Sequence, residues 1–142
     1  VDGITIVDDY AHHPVEISSV LSAAREAYEG RIIAVIQPHR YTRLQSLFDE
    51  FCACFNDADI VIVSPVYEAG EKPIKGADQE ALIEGLRSFG HRNVMKLSTP
   101  EELGQITSDV AVEGDIVICL GAGSITTWAY DLPSAIKEAR ST

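Results

Sequence analysis

The chain alternates short, continuously apolar runs with longer segments in which apolar residues recur every three or four positions. Continuous apolar runs are typical of parallel strands that are covered on both faces. Spacings of three and four are typical of helices that bury one side. The pattern predicts strands at residues 4–7, 31–36, 59–63, 93–97 and 115–120.

Helices are predicted between these strands. The first begins at Pro14, which suits the first helical position because its missing N–H costs nothing there, and it ends at Gly30. Residues 66–78 have the glycine, proline and charge content of a long loop. A second helix is predicted along 44–55, and a third is capped by Asp78. A fourth is capped by Thr99, with Pro100 and Glu102 in its first turn. The last runs toward Arg140 and is bent or interrupted at Pro133.

Strands and helices alternate throughout, which predicts a single Rossmann-like α/β domain over residues 1–142. We expect three layers, with a mostly parallel sheet of about five or six strands and helices on both faces. The chain starts at Val1 and enters a strand almost at once, so we also expect a piece of a longer polypeptide.

Composition narrows the class of protein. Apolar content of 46% and charged content of 23% are typical of a soluble globular domain, and no apolar run is long enough to cross a bilayer. A net charge of −11 argues against a nucleic-acid or anionic membrane partner. Three cysteines without a CxxC pair predict core or near-surface thiols and a cytoplasmic location, and these are Cys52, Cys54 and Cys119.

The first turn, residues 8–14, has the sequence DDYAHHP. Two carboxylates, a phenol and two imidazoles are crowded where a simple reversing turn would use Gly, Asn or Ser. Because the turn leads into a helix N-terminus, its side chains should surround a place that favours negative charge.

Polar chemistry is concentrated in the four segments that follow strands, 8–14, 37–43, 64–71 and 121–124. The carboxyl ends of parallel strands lie at one edge of the sheet, where α/β proteins bind ligands. The connections at the other edge look like ordinary turns. We therefore predict one site at the carboxyl edge.

Arg40 and Arg43 lie three residues apart, hence on the same side of a predicted helix start. Such a pair suits a carboxylate or phosphate, because guanidinium groups bind these bidentately, although a solvated helix end is the other interpretation. Adjacent His12 and His13 rarely reach one metal ion, so we expect no zinc site, and we expect His91 at the surface.

The turn Gly121-Ala122-Gly123 does not complete a dinucleotide fingerprint, because position 126 is Thr and no strand follows. It is either a simple strand-to-helix turn or a place where a ligand approaches the backbone closely.

Taken together, the motifs resemble the C-terminal domain of the Mur ligases. They are DDYAHHP at 8–14 followed by Glu16, QPHRYTR at 37–43, VYEAGE at 66–71, PI at 73–74, GAD at 76–78 and GAG at 121–123. Within the family, the blocks are most similar to the branch that joins L-alanine to UDP-N-acetylmuramate. The order of the blocks matches the family along nearly the whole chain.

The resemblance implies an ATP-dependent ligase of peptidoglycan precursor synthesis. ATP and Mg²⁺ convert the muramyl carboxylate into an acyl phosphate, which the amine of L-alanine attacks. The C-terminal domain would present the amino acid and close over an N-terminal UDP-substrate domain and a central ATPase domain.

The resemblance also implies roles for individual residues. Those around the amino acid and the muramyl end are Tyr10, His12, His39, Arg40, Arg43, Gly121, Ala122 and Gly123. Those on the ATP ribose side are Asp9 and His13, and the other interpretation of His13 is that it only orients the turn. No residue matches a metal ligand of the family.

The chain lacks the Gly-x-x-x-x-Gly-Lys-Ser/Thr loop that cradles phosphates, so we expect it to be catalytically silent alone and to bind no nucleotide tightly. Two alternatives stay open. A murein tripeptide recycling ligase of the same family would be expected to have Phe instead of Tyr10 and to lack Glu16. A non-catalytic anion-binding module would also account for the turn chemistry.

Overall fold

The computed structural model describes residues 1–141, and Thr142 of the predicted domain lies outside the described residues. Five strands form one sheet in the order β1-β5-β2-β3-β4, and every neighbouring pair is parallel. The predicted parallel sheet is therefore confirmed. The strands are β1 (Thr5–Asp9), β2 (Ile32–Ile36), β3 (Ile60–Val63), β4 (Val94–Lys96) and β5 (Ile116–Leu120).

Helices cover both faces of the sheet, as predicted. They are α1 (Pro14–Ala27), α2 (Tyr41–Ser46), α3 (Phe48–Ala53), α4 (Gln79–Ser88), α5 (Leu103–Val110) and α6 (Ile125–Arg140). Alternate residues of β2 enter different cores, because successive side chains of a strand point to opposite faces. Ile32 and Ile36 pack with the first four helices, whereas Ile33 and Val35 pack with α5 and α6.

The three thiols are buried and unpaired, as predicted. Cys52 and Cys54 lie in the core beside α1 to α4, and Cys119 lies in the core on the opposite face. Burial raises the pKa of Cys52 to about 11 and the pKa values of Cys54 and Cys119 to about 12. A buried thiol with so high a pKa is a packing group without nucleophilic character at neutral pH.

The predicted helix along 44–55 is wrong in its continuity, because the backbone leaves helical geometry at Leu47 (φ −120°, ψ 27°) and separates α2 from α3. The break redirects α3 against α4. A Cβ placed on Gly85 of α4 would lie 2.4 Å from the Sγ of Cys52, so the two helices approach as closely as a glycine permits.

Two other helix predictions need correction. The segment capped by Thr99 opens with a 3₁₀ turn, Pro100–Glu102, and α5 starts only at Leu103. The Thr99 hydroxyl contacts the Glu102 carboxylate at 3.4 Å and makes no capping bond to the backbone. Of the bend or interruption predicted at Pro133, the interruption is wrong, because α6 continues to Arg140 with buried apolar residues on either side of the proline.

Other predicted features hold. Asp78 caps α4 by accepting a hydrogen bond from the backbone N–H of Ala81 at 2.9 Å. Residues 66–78 contain neither a helix nor a strand. His91 is only half-buried, but its Nε2 lies 2.8 Å from the carbonyl oxygen of Ala58, so it joins the start of β3 to the start of β4.

Candidate functional site

The first turn is tied to the neighbouring strand exit through Asp9. The Asp9 carboxylate accepts a hydrogen bond from the N–H of Ala11 at 2.9 Å, which shapes the turn. The Asp9 carbonyl accepts one from the N–H of Gly121 at 3.1 Å. These bonds hold the DDYAHHP turn beside the turn that follows β5.

The N-terminus of α1 is occupied by the chain's own groups. The Glu16 carboxylate accepts hydrogen bonds from the N–H groups of His12 (3.3 Å) and His13 (3.2 Å), and His13 Nδ1 accepts one from Val15 (3.3 Å). The bond from His12, followed by that from His13, lowers the pKa of Glu16. A carboxylate of the protein therefore takes the place that the sequence suggested for an external anion, and His13 serves as the helix cap.

The two arginines of the second turn differ in backbone position and in side-chain partners. Arg43, inside α2, places Nη1 3.2 Å from His39 Nδ1 and 3.1 Å from the His39 carbonyl oxygen. Arg40 precedes the helix, with φ 65° and ψ 148°, a backbone region that is almost exclusive to glycine. Its guanidinium is exposed and has no hydrogen-bond or ion-pair partner within residues 1–141. Arg40 thus lies before the helix and Arg43 within it, and the charges of both act on His39.

Four aromatic rings line the rim of the sheet. Tyr10 contacts His12 edge-on with ring centroids 5.0 Å apart, and His12 lies 6.0 Å from His39. His39 stacks on Tyr67, with centroids 5.1 Å apart and planes inclined by 20°. The first, second and third turns thus meet at one edge, as the topology required.

A sequence model described as "Mur ligase, glutamate ligase domain" matches residues 1–123, which is most of the chain. The chain belongs to the Mur ligase family. This Mur ligase domain is 68% identical over 135 residues to the UDP-N-acetylmuramate–L-alanine ligase of Parvibaculum lavamentivorans, covering 95% of the chain and 28% of that protein. It is 65% identical over 136 residues to the ligase of the same name from Azorhizobium caulinodans, covering 96% of the chain and 29% of that protein.

Among solved structures, the UDP-N-acetylmuramate–alanine ligase of Thermotoga maritima superposes with a TM-score of 0.75 at 24% identity. The superposition covers 97% of the Mur ligase domain and 28% of the Thermotoga chain, and it supports the fold. The domain spans less than a third of the length of the relatives that it matches.

Two site residues of the Mur ligase domain were missed by the sequence analysis. Gln37 is 3% exposed and joins β2 to the start of α6, donating to Ser124 Oγ at 2.9 Å and accepting from the N–H of Ile125 at 3.1 Å. Tyr67 lies in the long loop but forms a parallel bridge with His39. The available signals were a polar residue directly after a buried strand and an aromatic residue inside the VYEAGE block.

The glycine turn of the domain is closely packed by the protein itself. A Cβ on Gly121 would lie 2.8 Å from Ile125 Cγ2, and one on Gly123 would lie 2.7 Å from Tyr67 Cγ. Ala122 is half-buried between them. Packing against Ile125 and Tyr67 is therefore a sufficient reason for glycine at both positions.

Burial and neighbouring positive groups act together on His39. Burial lowers its pKa, and the charges of Arg43, His12 and Arg40 lower the pKa further. A site built in this way keeps the imidazole neutral near pH 7 while the guanidinium groups stay positive. The rim therefore places a neutral imidazole beside two guanidinium groups, in turns that also carry carboxylates.

The site is an open rim and not a closed pocket. Two grooves among the described residues lie elsewhere, one of about 690 Å³ between α1 and α3 and one of about 370 Å³ between α5 and α6. Residues 1–141 contain no group of three or more His, Cys, Asp or Glu side chains that could hold a metal ion. None of the helices described is both long enough and apolar enough to span a membrane.

Proposed function

We propose that this chain is the amino-acid-presenting, site-closing domain of an ATP-dependent ligase that joins L-alanine to UDP-N-acetylmuramate through an acyl phosphate. The observation that carries the proposal is the exposed guanidinium of Arg40, which shares a rim with His12, His39 and Arg43. It makes no hydrogen bond or ion pair within residues 1–141, and its charge is felt by the Glu71 carboxylate. An exposed guanidinium beside the His39 imidazole suits the carboxylate of a small amino acid. The relatives named as L-alanine ligases support this choice of donor.

The proposed amino-acid side of the site comprises Tyr10, His12, His39, Arg40, Arg43 and the turn Gly121-Ala122-Gly123. Arg40 would bind the carboxylate directly. Arg43 would act mainly by orienting His39, because its guanidinium is already engaged with that residue. Exposed Tyr10 would border the muramyl end of the substrate.

ATP and Mg²⁺ belong to the proposal as groups that the other domains mainly hold. The chain has no phosphate-cradling loop, and residues 1–141 offer no metal cluster. Asp9 uses one carboxylate oxygen within its own turn, and the other could accept a hydrogen bond from a ribose hydroxyl. His13 uses Nδ1 to cap α1, so only its Nε2 could contact the ATP ribose.

An open rim suggests why this domain would have to close. Water reaches Tyr10 and Arg40 freely, whereas transfer to an acyl phosphate requires that water be excluded. Docking the rim against an N-terminal and a central domain would enclose the reacting groups. A cytoplasmic setting is part of the proposal, since three free buried thiols suit a reducing compartment.

The experiment is phosphate release by the complete protein of which this chain would be the C-terminal part. With ATP, Mg²⁺ and UDP-N-acetylmuramate, release should depend on L-alanine and should not be supported by a murein tripeptide. The 142-residue chain alone should release no phosphate. Release that depends on the tripeptide would favour the recycling ligase, and release from the chain alone would contradict the domain assignment.

A further inference from the structure

His39 is held so that one of its ring nitrogens is engaged and the other is free. Nδ1 lies 3.2 Å from Arg43 Nη1. The ring of Tyr67 covers one face at 5.1 Å between centroids. Within the described chain, Nε2 has no hydrogen-bond partner. Only Nε2 is therefore available to a ligand.

The contact with Arg43 determines the protonation state. A guanidinium can only donate hydrogen bonds, so Nδ1 of His39 must accept and cannot carry a proton. The proton of the neutral ring then lies on Nε2. The groups that face the ring from the neighbouring elements are Arg43, Arg40, His12 and Tyr67, and burial together with the first three lowers the pKa of His39.

His12 has the opposite arrangement. Its Nδ1 lies 2.9 Å from the carbonyl oxygen of Tyr10, which can only accept, so the proton must lie on Nδ1. The Glu16 carboxylate, 3.9 Å from the same nitrogen, favours that position. In the neutral ring, Nε2 then carries a lone pair, and it has no partner within residues 1–141.

Tyr67 is the residue best placed to hold the His39 ring in position. Besides stacking on the ring, it forms two backbone hydrogen bonds across the second turn, donating to the Pro38 carbonyl at 2.8 Å and accepting from the Arg40 N–H at 2.7 Å. Gly123 closes the other side of the Tyr67 ring. The imidazole thus lies between the Arg43 guanidinium and the Tyr67 ring.

We propose that the rim carries two histidines whose neutral rings are opposite tautomers, His12 accepting and His39 donating at Nε2, and that Tyr67 is the positioning residue that holds the His39 ring in place. Such a pair recognises a zwitterion: an ammonium donates to His12, and a carboxylate oxygen accepts from His39 beside Arg40. The ligand class rests on the proposed function above, whereas the two tautomers rest on the contacts alone.

The tautomers are tested by long-range ¹H–¹⁵N correlation spectra of the ¹⁵N-labelled chain at pH 7.5. The four histidines are assigned with single His→Gln variants at positions 12, 13, 39 and 91. We expect a protonated Nε2 for His39 and a protonated Nδ1 for His12. Identical tautomers, or a doubly protonated His39 at this pH, would overturn the proposal.

The role of Tyr67 is tested by titrating His39 in three variants. Tyr67→Leu removes the stacked ring and should raise the His39 midpoint toward the ordinary value, whereas Tyr67→Phe should leave it unchanged. Tyr130→Leu is the control, because Tyr130 lies on α6 and is 87% exposed. Backbone amide spectra verify that each variant is folded. An unchanged midpoint in Tyr67→Leu would exclude the positioning role.

The ligand class is tested in the complete ligase. Tyr67→Leu should raise KM for L-alanine about tenfold with little change in KM for ATP, and Tyr67→Phe should restore the original value. If the spectra show opposite tautomers but KM for L-alanine is unchanged, the tautomer assignment is supported. The proposal that this pair recognises the zwitterion is then wrong. That result separates the two parts of the inference.

Discussion

The ring of Tyr67 occupies the space that a side chain at Gly123 would need. A Cβ at position 123 would lie 2.7 Å from Tyr67 Cγ and 2.9 Å from the buried Gln37 Oε1. Residues that are 56 positions apart in the sequence, 123 − 67, are thereby locked together at the carboxyl edge of the sheet. The contact joins the turn after β5 to the long loop after β3.

Gly123→Ala should disturb this contact. Overpacking usually costs about 1–3 kcal/mol, and we expect a loss of about 1 kcal/mol because the partly exposed Tyr67 ring can shift. Urea denaturation of the chain measures the loss. Combined with Tyr67→Ala, which vacates the space, Gly123→Ala should destabilise less than it does alone, and strictly additive losses would show that the contact is unimportant.

Arg40→Gly should stabilise the domain while weakening the ligase. The backbone of Arg40 lies at φ 65° and ψ 148°, so glycine should relieve about 1 kcal/mol of strain. Loss of the guanidinium should raise KM for L-alanine in the complete ligase. Arg40→Lys is the control, since it keeps the charge and the strain. If Arg40→Gly left KM unchanged, Arg40 would have no part in amino-acid binding.

Arg31→Met should destabilise the chain in a pH-dependent way. The Arg31 guanidinium contacts both oxygens of Asp115, at 2.8 and 3.3 Å, and the carboxylate is 3% exposed. Loss of hydrogen bonds to a charged group costs about 1.5–3 kcal/mol, and exposure of the guanidinium places the value toward the lower end. Urea denaturation at pH 7 measures it.

The pH dependence follows from the pKa of Asp115. Burial by itself raises this pKa, but hydrogen bonds from Arg31 and from the Val112 N–H outweigh burial and bring it below its ordinary value of 3.8. The stabilisation is therefore complete above pH 3.8 and is lost as pH falls through the lower pKa of the folded state. The difference in unfolding free energy between wild type and Arg31→Met should therefore be smaller in strong acid than at pH 7. An equal difference under both conditions would show that the Asp115 carboxylate does not carry the stabilisation.

Asp9→Asn should affect ATP more than L-alanine. The amide oxygen can still accept from the Ala11 N–H, so stability should change by no more than about 0.5 kcal/mol. Replacing the charged acceptor should raise KM for ATP in the complete ligase. Asp8→Asn is a matched control, because Asp8 is exposed and contacts only the Thr126 hydroxyl among side-chain partners described. A selective effect on L-alanine would place Asp9 on the other side of the site.

The fold was predictable because its signals are local. A strand covered on both faces admits almost only apolar residues, so the five strands could be read directly from the sequence. The break at Leu47 could not, because it depends on how α3 meets Gly85 of another helix. Pro133 was equally misleading, since packing of α6 on the sheet outweighs one missing hydrogen bond.

The sheet edge that carries the site was predictable, but the side-chain contacts within the site were not. Parallel topology places every strand's carboxyl end at one edge, which suffices to bring the four turns together. Whether Arg43 faces a ligand or His39, and whether Glu16 or an external anion occupies the start of α1, depends on distances between side chains.

The sequence by itself determined the parallel sheet, the edge that carries the chemistry and the resemblance to the Mur ligases, because hydrophobic pattern and motif order are properties of the chain alone. Only the tertiary structure decided that the Arg40 side chain makes no hydrogen bond or ion pair within residues 1–141, that Tyr67 covers His39, and that the two imidazoles have opposite free nitrogens. The direction of a hydrogen bond depends on which donor lies next to which acceptor, and only folding brings these groups together.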